Sequence, residues 1–271
     1  MKSKKVKTIL VVVGLIVVGL LAVAGFLLLQ VFNTVDVVRS DSKSVELGDA
    51  ETVRAEISME MGHLEIAGGA DDLMNANLVY EAAEWKPVVK YTLSENQGAL
   101  IVQPPERVDS PPYTAGYEWN MRFSNDVPID LDVAQHMGDA TLHLGGMSLS
   151  ALEVETGAGD FTVDLTGNWR NNFTSRIRGG IGRTTVLLPD DVGVIVGIRG
   201  NSNVKTSGLT RGGNSYVNTA FGESDVTLSI DIVSGIGEIN LEVEGAPDVG
   251  EVRVATCADV NTLANLADYN V

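Results

Sequence analysis

Five segments of this chain open on glycine, step to another residue and then alternate apolar with polar. GDATLHL begins at Gly138, GDFTVDL at Gly159, GRTTVLL at Gly182 and GEINLEV at Gly237; a shorter copy, GHLEI, begins at Gly62. Alternation with period two is the signature of a strand with one buried face. It puts Ala140, Leu142 and Leu144 inside, and gives the same slots to Phe161, Val163 and Leu165, to Thr184, Val186 and Leu188, and to Ile239, Leu241 and Val243. Gly138 to Gly159 is 21 residues and Gly159 to Gly182 is 23, intervals within the solenoid range. Each interval holds two strand-like pieces, such as Leu152–Glu155 followed by Phe161–Leu165. One coil cannot bury such strands alone, whereas coils stacked about 4.8 Å apart share an interior. A left-handed corner explains the glycines, which adopt positive φ at little steric cost. The pattern predicts an all-β fold, a solenoid of about five coils and roughly 25 Å. An antiparallel meander has the same alternation; the regular spacing favours the solenoid.

The rest of the composition agrees. Twenty-nine glycines and 6 % aromatics suit short strands joined by tight turns. The single cysteine, Cys257, excludes an intrachain disulfide. A formal net charge of −17 argues against nucleic acid as a partner, because phosphate repels carboxylate.

Ahead of the strands, Lys2, Lys4, Lys5 and Lys7 precede an uncharged run from Thr8 to Phe32. About twenty apolar residues span a bilayer, and Ile9–Leu29 meets that length. The lysines place residues 1–7 in the cytoplasm and the remainder outside it. A cleavable signal peptide is the rival, with Ala22-Val23-Ala24 as its cleavage triplet. Phe26-Leu27-Leu28-Leu29 continues the apolar run beyond that point and favours an uncleaved anchor. The organisation expected is therefore a basic tail over 1–7, a transmembrane helix over 8–32, a polar stalk over 33–44, a first β module over 45–103, a proline-rich linker over 104–118, the solenoid over 119–245 and a C-terminal extension over 246–271.

Two stretches resemble a known family. LGDAETVRAEISMEMGHLEIAGGADDLMNANLVYEAAEWKPVVKY, with its Gly-His-Leu-Glu-Ile strand, Gly68-Gly69 turn, Leu73, Tyr80 and Trp85-Lys86-Pro87, resembles the N-terminal toast-rack domain of bacterial membrane-anchored proteins. From WNMRFSNDVPIDLDV onward the chain is similar to the β-solenoid of LiaF-like cell-wall stress proteins and of candidate adhesins. The resemblance implies a bacterial envelope protein that senses, binds or supports, and it supplies no catalytic residues. LiaF-like proteins usually carry several membrane helices, whereas one is expected here, which puts a direct kinase-regulating role in doubt.

Little in the sequence points to catalysis. No nucleophile elbow, phosphate loop or zinc-helix motif is present. His63, His136 and His143 read as surface residues, so no metal and no cofactor is expected. Gly157-Ala158-Gly159-Asp160 has the glycine–aspartate pairing of calcium β-rolls without their nine-residue period. Thr141, Thr162, Thr185 and Thr206 share an outward register, which strand propensity alone accounts for. Asp130 with Asp132, and Glu153 with Glu155, are carboxylate pairs of the kind a polysaccharide lyase or hydrolase needs, and equally the ordinary outer face of a strand.

One stretch departs from the acidic background. Between Thr166 and Gly222, seven basic residues face only Asp190 and Asp191. Ile177 points inward, which sends Arg176 and Arg178 out, and the same alternation exposes Arg183 and Arg199. With Lys205 these form an expected basic band that would dock an anionic partner: an envelope polymer, an envelope protein or a second copy of the chain. The alternative is a solvated wall balanced by neighbouring acids. The function expected is non-enzymatic binding or sensing at the envelope by a single-pass membrane protein. An adhesin-like or structural role comes next, and a polysaccharide-acting enzyme is a distant third.

Overall fold

The computed structural model describes residues 38–106 and 116–246. The membrane helix expected over 8–32, the middle of the linker and the extension beyond Ala246 lie outside the described residues. Among the described residues no helix is long and apolar enough to cross a membrane.

Strands dominate what is described. In chain order they are β1 (Arg39–Val45), β2 (Thr52–Gly68), β3 (Met74–Tyr80), β4 (Val88–Ser94), β5 (Gln97–Gln103), β6 (Tyr117–Phe123), β7 (Ile129–Met137), β8 (Ala140–His143) and β9 (Leu149–Ala158). They continue as β10 (Phe161–Asp164), β11 (Phe173–Arg178), β12 (Ile181–Leu188), β13 (Gly193–Arg199), β14 (Asn203–Ser207), β15 (Thr210–Gly212), β16 (Ser215–Val217), β17 (Thr227–Val233) and β18 (Ile236–Val243). One short 3-10 turn, Ala83–Trp85, interrupts them.

The pairing between levels is parallel, so the fold is a solenoid and the meander is excluded. Each level has a front strand, a corner and a back strand. On the front wall β5, the first half of β2, β7, β9, β11, β17 and β13 lie side by side in that order. On the back wall the order is β6, the second half of β2, β8, β10, β12, β18 and β14. That makes seven levels among the described residues, about 30 Å of stack. Antiparallel strands close the ends. β4 lies on β5, β3 on β6 with β1 beyond it, and β16 on β13 with β15 beyond it. Such caps keep a sheet from templating further strands.

Stack order and chain order differ at both ends. The first coil of the chain, β2, sits second in the stack, inside β5 and β6. The last, β17 with β18, is inserted between β11 with β12 and β13 with β14. The sequence reading of a first module over 45–103 and a separate solenoid over 119–245 is thereby corrected, since β2 pairs with strands from both. The stalk expected over 33–44 is corrected as well. Residues 39–44 belong to β1, an edge strand whose serines bond to the domain: Ser40 Oγ donates to Asn77 Oδ1 and Ser44 Oγ to Asp72. Short polar side chains suit an edge that faces water on one side, and they conceal the strand from a hydrophobic pattern. Tyr117 and Glu118, assigned to the linker, begin β6.

The corner explains the glycine repeat. Gly62, Gly138, Gly159, Gly182 and Gly237 have φ of 143°, 108°, 144°, 142° and 149°. A Cβ at Gly159 would lie 1.9 Å from the Gly138 carbonyl oxygen, and one at Gly182 2.0 Å from that of Gly159. Close stacking is therefore a second requirement beside positive φ. The aspartates that follow Gly138 and Gly159 tie their levels to the next. Asp139 Oδ1 accepts from the Asp160 backbone N–H at 2.8 Å, and Asp160 Oδ1 from that of Arg183 at 2.9 Å. Between the walls runs one core, with Trp119, Phe123, Phe161 and Phe173 its largest fully enclosed side chains. The inward slots assigned from alternation are buried as expected, including Thr184.

Candidate functional site

The five cations of the expected band are divided between two walls. Arg176, Arg178 and Arg199 project from the front wall, on β11 and β13, while Arg183 and Lys205 stand on the back wall, on β12 and β14. The expectation of one continuous band is corrected on this point. Each coil turns through its glycine corner between Arg178 and Arg183, so alternation along the chain cannot keep both on one surface.

Carboxylates from adjacent levels meet all five. Arg176 Nε lies 3.8 Å from Asp231, and Arg199 bonds to the same carboxylate. Arg178 bonds to Glu153. On the back wall Arg183 pairs with Asp160 at 3.1 Å and Glu238 at 3.9 Å, and Lys205 with Glu238 at 2.7 Å. The register causes this. Glu56, Asp132, Glu153, Arg176 and Asp231 form one outward column across five levels. Insertion of β17 beside β11 brings Asp231 to Arg176, although the two are far apart in sequence.

The same column is more acidic at its other end. Arg54 reaches Glu56 at 2.8 Å, Asp130 at 3.5 Å and Asp132 at 3.6 Å. Three carboxylates around one guanidinium hold Arg54 more firmly protonated, the Glu56 bond contributing most. Burial pushes the Asp132 carboxyl above its ordinary range, with Glu153 adding to the rise. A shallow hollow of about 330 Å³ lies here, lined by Arg54, Asp132, Glu153, Thr174, Arg176 and Asp231. On the back wall Lys205 holds the Glu238 carboxyl below its usual range. A larger open groove of about 880 Å³ runs beside it, past Lys205, Ser207, Asn240 and Glu242 to Ala246. These surfaces can exchange ion pairs and hydrogen bonds with an extended partner.

Other residues noted in the sequence are placed as follows. His143 Nδ1 is 3.6 Å from Asp164 and His136 Nδ1 3.9 Å from Glu60. Among the described residues no three His, Cys, Asp or Glu side chains converge as a metal site would require. Thr141, Thr162 and Thr185 align across β8, β10 and β12, but Thr206 leaves their column. There Asn240 and Lys205 continue it, because β18 rather than β14 is stacked on β12. Asp231 and Glu238, the partners of four of the five cations, were missed. Their distance in sequence hid them, and only the parallel alignment of Gly237 with Gly182 could have found them.

No curated protein matches the chain. Among solved structures, a candidate cell adhesion protein from Clostridium sporogenes ATCC 15579 is 29 % identical, with a TM-score of 0.72 over 76 % of this chain and 100 % of that one. A candidate adhesin from Bacteroides fragilis NCTC 9343 is 9 % identical with a TM-score of 0.29, over 76 % of this chain and 96 % of the other. Residues 34–187 match the family described as the N-terminal domain of toast_rack, DUF2154, and this chain belongs to that family.

Proposed function

We propose that this chain is an adhesin-like protein of the bacterial envelope that works by binding and not by catalysis. In this reading residues 8–32 anchor it as a single pass, residues 1–7 are cytoplasmic, and the solenoid faces outward. The observation that carries the reading is the likeness to the Clostridium protein over that chain's whole length. The surfaces are consistent with it. They are long ion-paired walls with open grooves, suited to an envelope polymer or an envelope protein as partner.

The cations retain a role under this proposal, as exchangeable groups. An exposed pair such as Arg176–Asp231 contributes only about 0–1 kcal/mol, so an incoming anionic group can replace Asp231 at little cost. The test is display of the full chain on a bacterium that does not otherwise clump. Membrane fractionation, protease accessibility of the solenoid and sedimentation of the cells are then measured. The expected outcome is a carbonate-resistant membrane protein, digested from outside, whose display makes cells aggregate or adhere to envelope material. Protease protection, or display with neither aggregation nor adhesion, overturns the reading.

A further inference from the structure

The residue immediately before each corner glycine forms a column of its own. Met61 aligns with Met137, Met137 with Ala158, Ala158 with Ile181, and Ile181 with Ile236. Three of them are large and open to solvent: Met137 is 53 % exposed, Ile181 59 % and Ile236 73 %. The five positions stand one strand spacing apart, a ridge of about 19 Å along the corner. The neighbouring column on the front side is Glu60, His136, Gly157, Gly180 and Gly235, so on three of the five levels no side chain covers the ridge from that side. Single exposed apolar residues are ordinary, but a contiguous row marks an interaction surface.

The column on the other flank says what covers the ridge. It reads His63, Asp139, Asp160, Arg183, Glu238 along the stack. A second copy facing the same corner can be related by a two-fold axis parallel to the stack or perpendicular to it. The parallel choice sets this flank against the opposite flank of the second copy at the same level, Asp139 on His136, Arg183 on Gly180 and Glu238 on Gly235, so the arginine meets no carboxylate. The perpendicular choice, with its axis at Ala158, reverses the order. It brings Asp139 opposite Arg183 of the second copy and His63 opposite Glu238 of the second copy. Asp160 then meets its own equivalent, but its carboxylate is already paired with Arg183 at 3.1 Å. On the ridge Met137 meets Ile181, Met61 meets Ile236, and the small Ala158 lies on the axis.

We propose that two copies of this chain pair corner to corner through the ridge of Met61, Met137, Ala158, Ile181 and Ile236, with their stacks antiparallel. The two β1 strands then lie at opposite ends of the pair. That arrangement suits copies from two facing surfaces, a consequence that rests on the adhesin reading with its anchor ahead of Arg39; the pairing itself does not. The surface is small for a permanent complex, so one pair is weak and an array of pairs supplies adhesion.

The pairing is tested on the full chain in detergent by sedimentation velocity, from roughly micromolar to millimolar concentration. Wild type is expected to dimerise. Met137→Lys and Ile181→Glu, both at exposed positions, are each expected to weaken the dimer at least about tenfold, with melting temperatures close to wild type. An equimolar mixture of the two variants is expected to recover it, because only antiparallel stacks bring position 137 against position 181. Variants that dimerise as wild type does, or a mixture no better than either alone, overturn the proposal. The same proteins displayed on cells separate it from the adhesin reading. Dimers in detergent without cell aggregation sustain the pairing and remove the reading; aggregation indifferent to both variants does the reverse.

Discussion

The middle of the stack and its two ends are built by different rules. From β7 to β12 each level rests on the one that precedes it in the chain, about twenty residues away. At the ends the chain returns from a distance and inserts, β2 inside β5 and β6, and β17 with β18 inside β13 and β14. The middle is therefore specified by a local repeat, whereas the ends, which share the tight corners at Gly62 and Gly237, also need particular residues that hold a place open. Substitution at a corner, the feature common to both, should have the largest effect. Gly159→Val introduces a Cβ 1.9 Å from the Gly138 carbonyl at φ 144°, combining backbone strain with overpacking that a stacked level cannot relieve. The expected cost is about 4 kcal/mol or more, read as loss of the cooperative urea transition. Gly69→Ala, near the end of β2, meets nothing within 4 Å at φ 92°. It should cost about 1–2 kcal/mol from the conformation alone. Equal losses at the two sites would show that stacking adds nothing to the conformational cost of a corner.

Asn218 holds the place at the C-terminal end. It is 5 % exposed, its Oδ1 accepts from the Val194 N–H at 2.9 Å, and its Nδ2 donates to the Val192 carbonyl at 2.7 Å and the Pro189 carbonyl at 3.2 Å. One side chain thus fixes the turn into β13 while β17 lies along the other edge of that strand. Asn218→Ala leaves three buried backbone groups short of a partner. The expected loss is about 3 kcal/mol. Its signature in native-state hydrogen exchange is regional: amides of β13 and β17 should open more readily, and those of β8 and β10 should keep their protection. Uniform loss of protection would mean that the ends and the middle fold as one unit.

The same division governs what the sequence made legible. Corner glycines, inward slots and coil spacing were all readable, because a solenoid repeats the same local requirement at every level and each copy confirms the others. Swapped ends were not readable, since a strand's place in the stack depends on which edge it reaches, and alternation is identical at every edge. For the same reason outward pointing was read correctly for Arg176, Arg178, Arg183 and Arg199, yet their surroundings were not. Their direction follows from alternation along one strand. Their partners Asp231 and Glu238 arrive on an inserted level. Strand β1 was missed for a different reason: an edge strand buries little, so Ser40, Ser42 and Ser44 leave no apolar trace. The ridge was in plain view before each glycine as Met137, Ala158, Ile181 and Ile236, but it is recognisable only once the glycines are known to stack.

A smaller effect tests the comparison through acid. Asp132 belongs to β7 in the regular middle, where burial raises its pKa above the ordinary 3.8. Its ionised form is therefore disfavoured by folding. Stability from this group is greatest below pH 3.8 and declines as pH rises through that value to the folded pKa. Asp132→Asn should raise the urea midpoint slightly at pH 7 and make no difference well below pH 3.8. Glu238 belongs to β18 on an inserted level, where Lys205 lowers its pKa from the ordinary 4.5. Here the sign reverses. The stabilisation is complete above pH 4.5 and is lost as pH falls through the folded pKa. Glu238→Gln should lower the midpoint slightly at neutral pH, and salt should diminish the loss because the pair is open to solvent. The opposite shifts of the two carboxylates follow from how each was placed. On β7 the register stacks Glu56, Asp132 and Glu153, acid upon acid, whereas the insertion of β18 sets Glu238 between Arg183 and Lys205. Midpoints that shift in the same direction at pH 7 for both variants would show that register, and not insertion, decides the charge environment on both walls.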